Sequence, residues 1–83
     1  MAHFLFFARI REQLGQGSLQ LTLPPDVTRV AQVLVLLQAR GEPFTTVLQD
    51  RSLQVAVNQR HAKPDDAVCD GDEIALFPPV SGG

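Results

Sequence analysis

Apolar and polar positions recur with two different periods along this chain, and the switches between the periods divide it into elements. Residues 3–10, His3 to Ile10, are too apolar and aromatic for a surface helix and predict a largely covered strand. Alternation places Phe4 and Phe6 on one face and Leu5 and Phe7 on the other. Arg11 to Leu14 fit a helical turn, and Gly15-Gln16-Gly17 breaks the chain. From 18 to 23, Leu19, Leu21 and Leu23 alternate with Ser18, Gln20 and Thr22, predicting a half-exposed antiparallel partner for the first strand.

Pro24-Pro25-Asp26 ends that strand, and the period changes. Val30, Ala31, Val33, Leu34 and Leu37 fall at helical spacing, with Asp26 or Thr28 as the cap and Gly41 as the left-handed stop. Val35 and Leu36 widen the apolar face, which predicts packing across a sheet. Residues 42–52 fit a short helix or a strand. Leu53 to Val57 alternates again as a strand, Asn58-Gln59 is a turn, and 60–63 form a short return strand before the loop at Pro64-Asp65-Asp66. Asp70-Gly71-Asp72 is a tight turn, and 73–77 the last strand.

A hairpin, a long crossover helix and later strands let the last strand lie parallel to the first, in the middle of a mixed sheet. The predicted class is α+β, a β-grasp with one main helix across one face. On that face belong Phe4, Phe6, Ile74 and Leu76; Phe7, Ala75 and Phe77 belong to the other, which has no helix of its own. Two phenylalanines there make an apolar patch of the kind that marks a partner site, unless residues 42–52 or 60–66 fold over it.

Composition narrows the function classes. With 83 residues, 45% hydrophobic and 19% charged, the chain predicts one small globular domain with little room for an enclosed active site. A net charge of −2 without a basic patch speaks against nucleic acid. A single cysteine, Cys69, excludes an internal disulfide and fits a reducing compartment, so the cytoplasm is the expected location. No run approaches the ~18 apolar residues of a membrane span, and no export signal is recognisable.

Candidate catalytic groups fall away in turn. Asp70, Asp72 and Glu73 lack the further ligands of a calcium loop. Gly15 and Gly17 lack the rest of a phosphate loop. His3 and His61 have no metal-ligand spacing around them. Ser81 has no base to activate it, and nothing near Cys69 in sequence depresses its pKa.

What remains is the end of the chain. The predicted domain covers 1–77, and 78–83 form an extended arm. Pro78 and Pro79 fix their own φ and lack amide hydrogens, so the last strand stops at Phe77. Six residues from Pro78, at roughly 3.3 Å each, reach about 20 Å, deep enough for a partner's pocket. Val80 is an apolar anchor; Ser81, Gly82 and Gly83 follow, the glycines narrow enough for a channel and leaving the α-carboxyl of Gly83 open to attack. A frayed terminus is the competing reading. A carboxylate becomes an electrophile once a nucleotide-using partner makes its oxygen a leaving group as an acyl-adenylate. A sulfur nucleophile can then replace AMP to leave a thiocarboxylate.

Three stretches carry a family resemblance along nearly the whole chain. They are Leu5-Phe6-Phe7-Ala8 with Arg11-Glu12 and Gly15, Ala56-Val57-Asn58-Gln59, and Asp70-Gly71-Asp72-Glu73 running into Phe77-Pro78-Pro79-Val80-Ser81-Gly82-Gly83. The chain resembles the small subunits of molybdopterin synthase, the MoaD/ThiS-like sulfur carriers of molybdenum-cofactor biosynthesis, which have a ubiquitin-like β-grasp fold. The resemblance implies that Gly83 is adenylated by an E1-like enzyme using ATP, then converted to a thiocarboxylate. It implies that Pro78, Pro79, Val80, Ser81 and Gly82 enter the large synthase subunit, which holds the catalytic groups and sulfurates precursor Z (cyclic pyranopterin monophosphate). Implied partners are that subunit, in a heterotetramer of two small and two large chains, the activating enzyme, and a sulfurtransferase or cysteine desulfurase as sulfur donor. No cofactor is expected on this chain. Phe7 and Phe77 match apolar partner-contacting positions; His61 is placed with them, although relatives often carry an apolar residue just after the Asn-Gln turn.

Two other classes compete. A β-grasp with a Gly-Gly end can be a protein modifier or a sulfur carrier for tRNA thiolation or thiazole synthesis. Alternatively the tail docks without covalent chemistry.

Overall fold

A computed structural model describes residues 1–79. Eight elements follow in order: β1 (Ala2–Phe6), α1 (Ala8–Leu14), β2 (Ser18–Leu21), α2 (Val30–Gln38), α3 (Phe44–Val47), β3 (Gln54–Val57), β4 (Arg60–Ala62) and β5 (Glu73–Phe77). The strands form one sheet in the order β2-β1-β5-β3-β4, with β1 and β5 parallel and the other pairs antiparallel. The last strand therefore fills the middle of a mixed sheet, the β-grasp arrangement.

One face of the sheet makes the core. Phe4, Phe6, Ile74, Leu76 and Val55 are buried there against Val30, Val33 and Leu37 of α2. Phe44 of α3 meets Phe6 edge-on at 6.3 Å between ring centroids, a favoured aromatic geometry, and the Arg40 guanidinium lies 5.4 Å from the Phe44 ring. Residues 42–52, which fit helix or strand from sequence, thus include a short helix. It packs with α1 and α2 on the core side and leaves the other sheet face open.

The first strand is shorter than its apolar run. It ends at Phe6, and Ala8 to Ile10 are helical rather than extended, joined to the turn expected from Arg11 to Leu14. Phe7 is still extended at φ −123°, Ala8 takes φ +51°, and the chain turns there. Ile10 and Leu14, one helical turn apart, drop into the core, and Gly15 closes α1 in the left-handed region at φ +75°. Burial of Ile10 in a helix outweighs the strand propensity of the run that contains it.

The main helix is also shorter than its pattern. Neither Asp26 nor Thr28 caps it by its side chain; instead Gln32 Oε1 accepts the N–H groups of Thr28 at 2.8 Å and Arg29 at 3.0 Å. The Val30 and Ala31 amides donate to the carbonyls of Asp66 and Pro64, so the loop after β4 completes the helix start. Val35 was expected against the sheet, yet it is 65% exposed, because the nine-residue helix turns only one stripe inward.

Candidate functional site

The site grows from the end of β5. Phe77 is the last strand residue and pairs with Gln54 of β3; Pro78 and Pro79 follow outside any element. On the other flank, the Phe7 amide donates to the Leu76 carbonyl at 3.1 Å, which prolongs the β1–β5 ladder by one bond and fixes Phe7 beside the strand end. The Phe7 carbonyl in turn accepts the Ile10 and Arg11 amides and starts α1. Phe7 is held by its backbone at both ends and is nevertheless 48% exposed. An aromatic ring so anchored and so uncovered suits a docking surface.

Register defines what surrounds it. Ser18, Leu5, Ala75, Ala56 and His61 form one row across all five strands on the open face. Leu5, Ala75, Ala56 and Phe77 are half-buried, and neither α3 nor the 60–66 segment buries any of them. The structure thus brings Phe7, Phe77 and His61 to one side of the sheet. Of the arm, Pro78 is half-buried and Pro79 exposed, whereas Val80, Ser81, Gly82 and Gly83 lie outside the described residues.

A polar chain borders this surface. Arg9 of α1 pairs with Asp50 Oδ2 at 2.8 Å. The Ser52 amide and hydroxyl donate to Asp50 Oδ1, the Gln54 amide nitrogen donates to the Ser52 carbonyl at 3.0 Å, and His61 Nε2 meets Gln54 Oε1 at 2.6 Å. The Ser52 hydroxyl, its amide and Arg9 hold the Asp50 carboxyl below its ordinary pKa. Sequence reasoning missed Arg9, Asp50 and Gln54. Period-two alternation puts Gln54 on the face of Phe77, but the Arg9–Asp50 contact spans 41 residues and leaves no local signal.

Two of the sequence stretches singled out above meet behind the site. Asn58 and Gln59 both take positive φ, +51° and +68°, the geometry of a two-residue hairpin turn. Asn58 Nδ2 donates to Asp72 Oδ1 at 3.0 Å, and Asn58 Oδ1 accepts the Glu73 amide at 2.9 Å. This clasp pins the β3–β4 turn to the start of β5, while Gly71 makes the Asp-Gly-Asp turn at φ +101°. The Asn58 amide holds the Asp72 carboxyl below its usual range; the charge of Asp72 pushes the exposed Cys69 thiol upward, away from the reactive thiolate. Among the described residues no group of three or more His, Cys, Asp or Glu is placed to hold a metal ion, and no helix is long and apolar enough to cross a membrane.

Comparison with known proteins adds the following. The model of the ThiS family matches residues 4–83. The molybdopterin synthase sulfur carrier subunits of Haemophilus influenzae and Escherichia coli are 40% and 36% identical to this chain over 83 residues, covering all of each protein. The crystal structure of SAMP1 from Haloferax volcanii superposes with a TM-score of 0.76 at 28% identity, over 99% of this chain and 98% of that one.

Proposed function

Because the chain belongs to the ThiS family, we propose that it is the sulfur carrier subunit of a molybdopterin synthase, with the carboxylate of Gly83 as its working group. An E1-like enzyme joins that carboxylate to the AMP portion of ATP and releases pyrophosphate. The donor's persulfide attacks the acyl carbon and the C–O bond to AMP breaks; a second thiol then cleaves the resulting acyl disulfide, which releases Gly83 as a thiocarboxylate and leaves the two thiols joined as a disulfide. The arm then delivers this soft nucleophile into the large subunit, where sulfur passes to precursor Z to build the dithiolene. What supports the reading is the match to a named carrier subunit over all 83 residues.

The geometry suits this division of labour. A central strand that leads directly into the arm makes the whole domain a handle for its end. Phe7 and Phe77 at the arm's base offer apolar area for a partner, and the catalytic groups belong to that partner.

The test is the mass of the C-terminal peptide after incubation with the cell's activating enzyme, ATP and a sulfur donor. Sulfur localised to Gly83 is expected, and none in Gly83→Ala. Unchanged carboxylate, under conditions that charge a known carrier, overturns the carrier. Conjugates of higher mass through Gly83, with no thiocarboxylate, replace it with a protein modifier.

A further inference from the structure

The polar chain at the border of the open face ends in a group whose hydrogen-bonding state is fixed. Gln54 donates its amide nitrogen to the Ser52 carbonyl, so its oxygen is the atom that faces His61 at 2.6 Å. That oxygen is only an acceptor. His61 Nε2 must therefore carry the hydrogen, and in the neutral ring Nδ1 is left as an acceptor with no partner among the described residues. The ring sits in the same row as Ala56, Ala75 and Leu5, one strand from Gln54, which pairs with Phe77.

A partner that covers Phe7 and Phe77 also approaches this ring. An Nδ1 stripped of water and left unmatched costs affinity, so an apolar counterpart is penalised. A cationic counterpart is penalised too, because Arg51 and Lys63 line the groove that His61 and Gln54 share. A neutral donor satisfies both conditions: a hydroxyl, a side-chain amide or a backbone N–H.

Resting on the carrier reading above, we propose that His61 is a specificity-determining residue of the docking face, its Nδ1 accepting a hydrogen bond from a neutral donor on the large synthase subunit. Gln54 is the positioning residue that selects the tautomer. This makes the edge strand a selector among partners: a large subunit with an apolar or basic residue opposite His61 binds this carrier less well than one with a hydroxyl or amide there.

The experiment uses the full chain and its own large subunit, with affinity measured by calorimetry for the unaltered carrier, His61→Leu, His61→Asn and Phe7→Ser. His61→Leu removes the acceptor and keeps the bulk; about tenfold weaker binding is expected, the factor for one matched hydrogen bond lost at a buried position. His61→Asn keeps an acceptor near the Nδ1 position and is expected to recover most of that loss. ¹⁵N spectra of the imidazole supply a readout that packing alone does not move: Nε2 protonated in the free carrier, and Nδ1 shifted on complex formation. In Gln54→Leu the free ring is expected to lose this single tautomer. Equal or tighter binding by His61→Leu while Phe7→Ser weakens binding overturns the selector and leaves the docking face standing. If neither substitution weakens binding, the docking face itself falls, and the selector with it.

Discussion

The two faces of β5 are made from alternate residues of one short strand, and they obey different rules. Ile74 and Leu76 are almost wholly buried and touch the oldest kind of partner a residue has, its own core. Ala75 and Phe77 are half-buried, with no helix of the described residues over them. The contrast teaches that stability and docking are separable here to within a single residue step. A change on one face should unfold the domain, and a change on the other should leave it folded and friendless.

The sharpest way to break that comparison is a pair of truncations. Phe6→Ala, on the buried face, is expected to cost about 3–5 kcal/mol in urea unfolding, a large part of the stability of a small domain. Phe7→Ala, at a residue 48% exposed on the open face, is expected to cost under about 1 kcal/mol in the same assay, as for surface substitutions, while lowering capture of the large subunit. Equal destabilisation by both would mean that the open face is a second core.

A smaller effect concerns the clasp that holds the faces in register. Asn58→Ala removes the bonds to Asp72 and Glu73 and puts a residue less suited to positive φ at the turn, so a loss of about 1–3 kcal/mol is expected in thermal unfolding. At the neighbouring position the sign reverses. Gln59→Gly relieves the left-handed strain at φ +68° and completes the Asn-Gly turn; a gain of about 0.5–1 kcal/mol should raise Tm by a few degrees.

The smallest expected effect is electrostatic. Asp72 has a folded pKa below its ordinary value of 3.8, so its contribution is present above that value and is lost as pH falls through the lowered folded one. Stability should therefore decline in acid below about pH 4, near the ordinary carboxylate range. Since the Asn58 amide is the main cause of the shift, the carboxylate ¹³C titration of Asp72 in Asn58→Ala should move upward. An unmoved titration would assign the shift to another group.

The comparison also explains how far the chain could be read without coordinates. Alternation in 3–6 and 73–77 identified the buried pairs Phe4, Phe6, Ile74 and Leu76, because strand period fixes a face whatever the partner. It misread Ala8 to Ile10, where an apolar run continues in sequence although the backbone reverses at Ala8; Ile10, Leu14 and Gly15 held the helical signal in only seven residues. Arg29 as the helix start was hidden because the cap is supplied by Gln32 and by the carbonyls of a distant loop. The apolar half of the candidate site was legible for the same reason as the core. Its polar border was not, since the Arg9–Asp50 pair and the diagonal His61–Gln54 contact depend on a register that no local pattern encodes.

The parallel pairing of β1 with β5 bears on what happens when the arm is tugged. Four residue pairs, from His3–Glu73 to Phe6–Leu76, join the first strand to the last. A pull at the end of β5 against an anchored amino terminus runs along these strands, so their hydrogen bonds are strained together in shear rather than peeled one by one. Forced unfolding is a matter of rate, and a ladder that must break all at once yields slowly. The domain is thereby built to stay folded while load is applied at the end of β5.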